Sequence, residues 1–114
     1  MNHLNSILIE GVISADAKLN GNVAMFHVES HRYVKTDDGF EKHTNYFDIE
    51  TNVIIERLAE KCIEKVKKGR EVRIVGYLKQ NYLDDESRSQ SKIIIVAENV
   101  EIKPGNYKPN DKEV

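Results

Sequence analysis

The hydrophobic and polar positions of this chain alternate with a period of two over five stretches and follow a helical period over one. Residues 4–13, LNSILIEGVI, are apolar and β-branched, with Gly11 placed for a bulge or bend. Residues 23–35, VAMFHVESHRYVK, put Ala24, Phe26 and Val28 on one face and Met25, His27, Glu29, His31 and Tyr33 on the other. The Asp38-Gly39 pair within TDDGFEK predicts a turn. Residues 44–51, TNYFDIET, turn Phe47 and Ile49 inward and Tyr46, Asp48 and Glu50 outward. From about 53 to 68 the period changes, and Ile55, Leu58, Ala59, Cys62 and Val66 fall on one helical stripe. Asn52 or Thr51 is available as N-cap, and Gly69 is placed to end the helix. Residues 71–80 return to period two, with Val72, Ile74 and Leu78 inward and Arg73, Val75, Tyr77 and Lys79 outward. After the polar DDESRSQS, the run KIIIVAENVEI predicts a last strand buried on both sides. The stretch KPGNYKPNDKEV at 103–114 holds both prolines and reads as a frayed tail.

This order, β-β-β-α-β-β, predicts an all-β architecture: a five-stranded OB-fold Greek-key barrel with one α-helix between strands 3 and 4. The expected division is a domain over residues 1–103 and a flexible C-terminal tail over 104–114. A chain of 114 residues fits one domain, and 39% hydrophobic with 32% charged residues fits a soluble one. A lone cysteine, Cys62, excludes an internal disulfide and fits a reducing compartment. The start, MNHLNSILIEG, lacks a basic n-region and its apolar run is too short for a signal or a span, so a cytoplasmic location is expected.

A formal net charge of −2 gives no support for a polyanion ligand, so any such site must be local. Local asymmetry exists. KVKKGREVRIVGYLKQ, residues 65–80, carries six basic residues against one acidic residue. Lys65, Lys67 and Lys68 read as the end of the helix, where cations favour the macrodipole. Arg73 and Lys79 share a strand face with Tyr77, the arrangement of an electrostatic groove with stacking platforms. Tyr33 and Tyr46 also lie on faces opposite the inward sets of their strands, while Phe47 belongs to the core. His27 and His31 are about 13 Å apart along a strand, too far for one metal ion. Asp37, Asp38, Glu41 and the DDE at 84–86 read as solvated turn residues, and Cys62 as core. No cofactor and no catalytic triad spacing is found, which leaves an OB-type metal-dependent nuclease as a minor alternative.

NSILIEG near the start, YFDIE on the third strand, RLAEKCIEKVKKGREVRIVGYLKQ and IIIVAENVE together give the chain a family likeness. Over residues 4–103 it resembles the bacterial single-stranded DNA-binding protein family. The resemblance implies an OB-fold, commonly a homotetramer, that wraps single-stranded DNA through basic residues and stacking aromatics. Tyr33 and Tyr46 stand where many members carry stacking aromatics; Asn52 lies where another is common, and Tyr82 or Leu83 where tryptophan is frequent. This chain has no tryptophan, a shorter SADAKLNGN loop and about three extra residues before the helix.

The expectation is a non-enzymatic protein that coats single-stranded DNA in replication, recombination and repair, cytoplasmic and nucleoid-associated. Arg32, Lys35, Arg73 and Lys79 would neutralise phosphates, with bases on Tyr33, Tyr46 and Tyr77 or Tyr82. Self-association is expected through an open first strand, with Ile7 and Ile9 on one face and Leu8 on the other. Recruitment of replication or repair proteins is not carried over, because the acidic tip with which members commonly end is absent from KPNDKEV. The alternative is an OB-type oligomeric protein-interaction module that binds nucleic acid incidentally.

Overall fold

The computed structural model describes residues 2–82 and 91–104. Its elements are β1 (Ile7–Ile13), β2 (Lys18–Asn20), β3 (Val23–Thr36), β4 (Gly39–Thr51), α1 (Leu58–Lys65), β5 (Glu71–Tyr82) and β6 (Ser91–Ile102). The ladder runs β1-β5-β6-β4-β3 and closes by pairing β3 with β1, with short β2 added beside β3. Five strands therefore form a closed barrel, and α1 follows the third of them. Among the described residues only the β4–β6 pair is parallel, over Ile49↔Ile95 to Thr51↔Ala97.

The inward faces are those the alternation predicts, except that Leu78, read as inward, is 42% exposed and Ile93, in the run read as buried on both sides, is 55% exposed. Ala24, Phe26, Val28, Ile49, Val72 and Ile74 are all buried, and on β6 the run Ile94, Ile95, Val96 and Ala97 is buried on both faces. Leu58, Cys62 and Val66 join the same core from α1 and the residue after it. Two strand glycines are required by close approach. A Cβ on Gly11 would stand 2.4 Å from the Glu29 carbonyl oxygen where β1 meets β3, and one on Gly76 would stand 2.1 Å from that of Val96. Gly76 sits at the register shift in the β5–β6 ladder, where a bulge bends the wall of the barrel.

Several expectations need correction. The helix begins at Leu58, not near 53. The Asn52 side chain accepts from the Ile54 amide at 3.0 Å, so it holds a turn instead of capping a helix. Thr51 is buried and accepts from the Ala24 amide at 2.9 Å. Arg57, with φ 63, occupies the N-cap position. The helix ends at Lys65, and Gly69 (φ 93) turns the chain back so that its amide bonds the Ile13 carbonyl at 2.8 Å. The first strand is also not a free edge. It pairs with β5 from Ile7 to Val12 and with β3 at Val12 and Ile13. Only the other side of its 7–11 stretch lacks a ladder partner among the described residues. The tail expected at 104–114 lies outside the described residues from 105 onward.

Burial pushes the Cys62 thiol up to about 11, so it stays protonated and unreactive near neutral pH. Native protein at pH 8 is expected to resist iodoacetamide, and to be alkylated on unfolding in denaturant. Rapid alkylation of the native chain would mean that α1 leaves the barrel.

Candidate nucleic-acid interface

The third and fourth strands of the sequence reading become one long hairpin. β3 and β4 pair continuously from Met25↔Glu50 to Thr36↔Gly39, around the Asp37-Asp38 turn. Its base belongs to the barrel wall. Beyond Glu29 and Phe47 it continues as a two-stranded arm of about 20 Å.

Directly paired residues share a face, so the register sorts the side chains. One arm face carries His31, Tyr33 and Lys35 from β3 and Phe40, Lys42 and Thr44 from β4, and it continues to Tyr46, Glu29, His27 and Asp48 nearer the barrel. Tyr33 is 66% exposed, Phe40 73% and Tyr46 71%. From Tyr46, Tyr33 stands about 13 Å along the arm, with Phe40 about 7 Å further. Neither Lys35 nor Lys42 is in an ion pair among the described residues. No carboxylate lies on this face beyond Glu29. The reverse face holds Ser30, Arg32, Val34, Glu41, His43 and Asn45.

The expected site thus divides. Tyr33, Lys35 and Tyr46 are brought together. Arg32 is turned to the reverse face, lining a crevice of about 700 Å³ with Arg73, Glu10, Asn45 and Phe47. Arg73, Tyr77 and Lys79 do share the outward face of β5, but both cations are engaged. Arg73 bonds Glu10 at 2.6 Å and approaches Glu101 at 3.6 Å, and Lys79 bonds Glu50 at 2.8 Å. The Arg73 guanidinium holds the Glu10 carboxyl below its ordinary range, and its own pKa is raised by the same hydrogen bond. Tyr77 is half-buried and lies beside Asn2, His3, Asn5, Asn52 and Glu98, away from the arm. Tyr82 ends β5; its side chain, like Leu83, lies outside the described residues. Of the basic helix-end residues, Lys65 is in the last turn of α1, and the Lys68 amide donates to Asp16 at 2.8 Å.

Phe40 and Lys42 were missing from the sequence reading, because residues 36–42 read as a loop. Counting back by twos from Tyr46 reaches both. Among the described residues, no group of three His, Cys, Asp or Glu side chains is placed to hold a metal ion, and no helix is long and apolar enough to cross a membrane.

A family model described as the single-strand binding protein family matches residues 4–103. The chain belongs to that family. Its relatives include a single-stranded DNA-binding protein of Treponema pallidum, 31% identical over 107 residues, and one of Borreliella burgdorferi, 28% identical over 109. Each alignment takes in 90% of this chain, which spans 59% of the first relative's length and 71% of the second's. Among solved structures, a Plasmodium falciparum SSB in complex with ssDNA superposes with a TM-score of 0.72 at 17% identity, over 91% of this chain and 98% of that one. A small single-stranded DNA-binding protein from Streptomyces coelicolor gives 0.67 at 20% identity, over 90% and 95%. These likenesses establish the family's OB-fold barrel.

Proposed function

We propose that this protein binds single-stranded DNA without sequence preference, laying it along the Tyr46–Tyr33–Phe40 face of the β3–β4 arm. In this reading the binding unit is an OB-type Greek-key barrel over residues 4–103, and it coats exposed strands in replication, recombination and repair at the nucleoid. The observation that carries it is the composition of the arm face: three exposed rings, two lysines in no ion pair among the described residues, and no carboxylate beyond Glu29. Rings accept bases of any identity by stacking, and lysines track the backbone as point charges. The names of the family's relatives agree with this ligand. The step is binding and wrapping, without bond chemistry.

Tyr33 and Tyr46 are the stacking platforms, with Lys35 as a phosphate partner and Phe40 and Lys42 as additions. Arg73, Lys79, Tyr77 and Arg32 are secondary contacts, because their partners or their face must change first. Tyrosine emission is expected to be quenched on titration with oligo(dT), unobscured by tryptophan. Affinity should fall with salt at a slope near −0.7 per phosphate neutralised, and the Lys35→Ala/Lys42→Ala double variant should flatten it by about 1.4. An unchanged emission and a flat salt response would favour a protein-interaction module.

A homotetramer fits the unladdered 7–11 side of β1 and the exposed Leu8 and Val75 beside it. Light scattering at micromolar concentration is expected to give a multimer mass; a monomer mass would remove this assembly from the proposal.

A further inference from the structure

At the barrel end of the ligand face Lys92 is already occupied, unlike Lys35 and Lys42 on the outer arm. Lys92 Nζ lies 2.7 Å from Asp48 Oδ2, and His27 Nδ1 lies 2.6 Å from the other oxygen, Asp48 Oδ1. One carboxylate on β4 thus joins β3 to β6, two residues from Tyr46 and on the same face.

We propose that Asp48 sets the affinity of this face, sequestering Lys92 while His27 is neutral and releasing it to phosphate when His27 is protonated. This rests on the single-stranded DNA reading above. A phosphate arriving beside Tyr46 competes with the Asp48 carboxylate for the Lys92 ammonium, one anion against another. The Lys92 ammonium holds the Asp48 carboxyl below the usual carboxylate range, so the competitor is charged throughout the neutral range. A protonated His27 divides the Asp48 charge between two cations and leaves one in excess.

Other groups around His27 bear on the same balance. Glu29 and His31 flank it on β3, 3.9 Å from each other. Glu50 is on β4, and Asp16 and Lys18 line a shallow pocket with His27. His31 is the other histidine on this face.

The test is a double-mutant cycle with oligo(dT) at pH 8. Asp48→Asn is expected to bind about two- to five-fold more tightly, with a salt slope steeper by about 0.7 as Lys92 engages a phosphate. Lys92→Ala should be nearly silent in the parent but abolish the gain in Asp48→Asn. Equal effects of Lys92→Ala in both backgrounds would overturn the inference. A second arm compares pH 8 with pH 6, where the parent should tighten, His27→Gln should lose most of that response and His31→Gln should keep it. A full pH response in His27→Gln would equally sink it. Failure of the parent to bind oligo(dT) at low salt overturns the DNA reading, and this inference with it. Binding by the parent with additive variants overturns this inference alone.

Discussion

Tyr46→Ala is expected to bind oligo(dT) about five- to 150-fold more weakly while melting within a few degrees of the parent. A stacked base is worth roughly 1–3 kcal/mol, which sets that range. The ring is 71% exposed and opposes Glu29 across the hairpin, so its loss opens no cavity in the core. Tyr46→Phe should bind almost as the parent does, since stacking needs the ring and not the hydroxyl. The next residue should behave in the opposite way. Phe47 packs half-buried against the core, so Phe47→Ala is expected to cost about 2–3 kcal/mol of stability, less than the 3–5 of a fully buried phenylalanine. Its folded fraction should still bind. Normal binding by Tyr46→Ala, measured by fluorescence titration alongside thermal melting, would remove the arm face as the site.

A second large effect is expected at Gly76. A methyl there would sit 2.1 Å from the Val96 carbonyl oxygen, a distance that only backbone movement in β5 or β6 relieves. Overpacking of this kind costs about 1–3 kcal/mol, more when the backbone must shift. Gly76→Ala should therefore lower the melting temperature by about 4–24 °C, taking 4–8 °C per kcal/mol for a domain near this size. Gly21 is the control. It has φ +64 but nothing within 4 Å of its Cβ position, so Gly21→Ala meets backbone strain of about 1–2 kcal/mol and no clash. Melting of Gly76→Ala at the parent's temperature would mean that β5 and β6 separate at the bulge without loss.

The faces of the strands were legible because burial on one side and water on the other imprint a period of two. Tyr46 against Phe47, and Arg73 against Val72, follow from that rule alone. The outer half of β4 was not legible for the same reason. Phe40, Lys42 and Thr44 alternate with Glu41, His43 and Asn45, and with solvent on both sides there is no contrast to read. The Asp38-Gly39 turn held the missing information, since a tight turn obliges both strands to start beside it. The helix start was hidden differently. Ile55 falls at helical spacing with Leu58, Ala59, Cys62 and Val66, but it is exposed and precedes the helix, and nothing about Arg57 announces a left-handed backbone. The partners of the β5 cations were out of reach too: Glu50 is 29 residues from Lys79, and Glu10 is 63 from Arg73. A shared face is a local property, whereas an ion pair between strands depends on the closure of the barrel.

That closure has a consequence for where the molecule opens. The parallel ladder joining β4 to β6 is only three rungs long, Ile49↔Ile95 to Thr51↔Ala97, yet it ties one antiparallel hairpin to the other across the full sequence. Its amides lie among the most buried side chains, so their exchange with solvent deuterium requires the barrel itself to come apart. The amides of residues 30–36 and 39–45 need only the arm to unzip from its tip, because among the described residues no second layer covers that section. Exchange should therefore run from minutes or less at Tyr33 to the slowest rates in the protein at Glu50 and Val96. The segment that meets the ligand is the one whose order is least coupled to the rest of the fold, so ligand binding should slow exchange in the arm directly, and in the barrel through the added stability of the bound state.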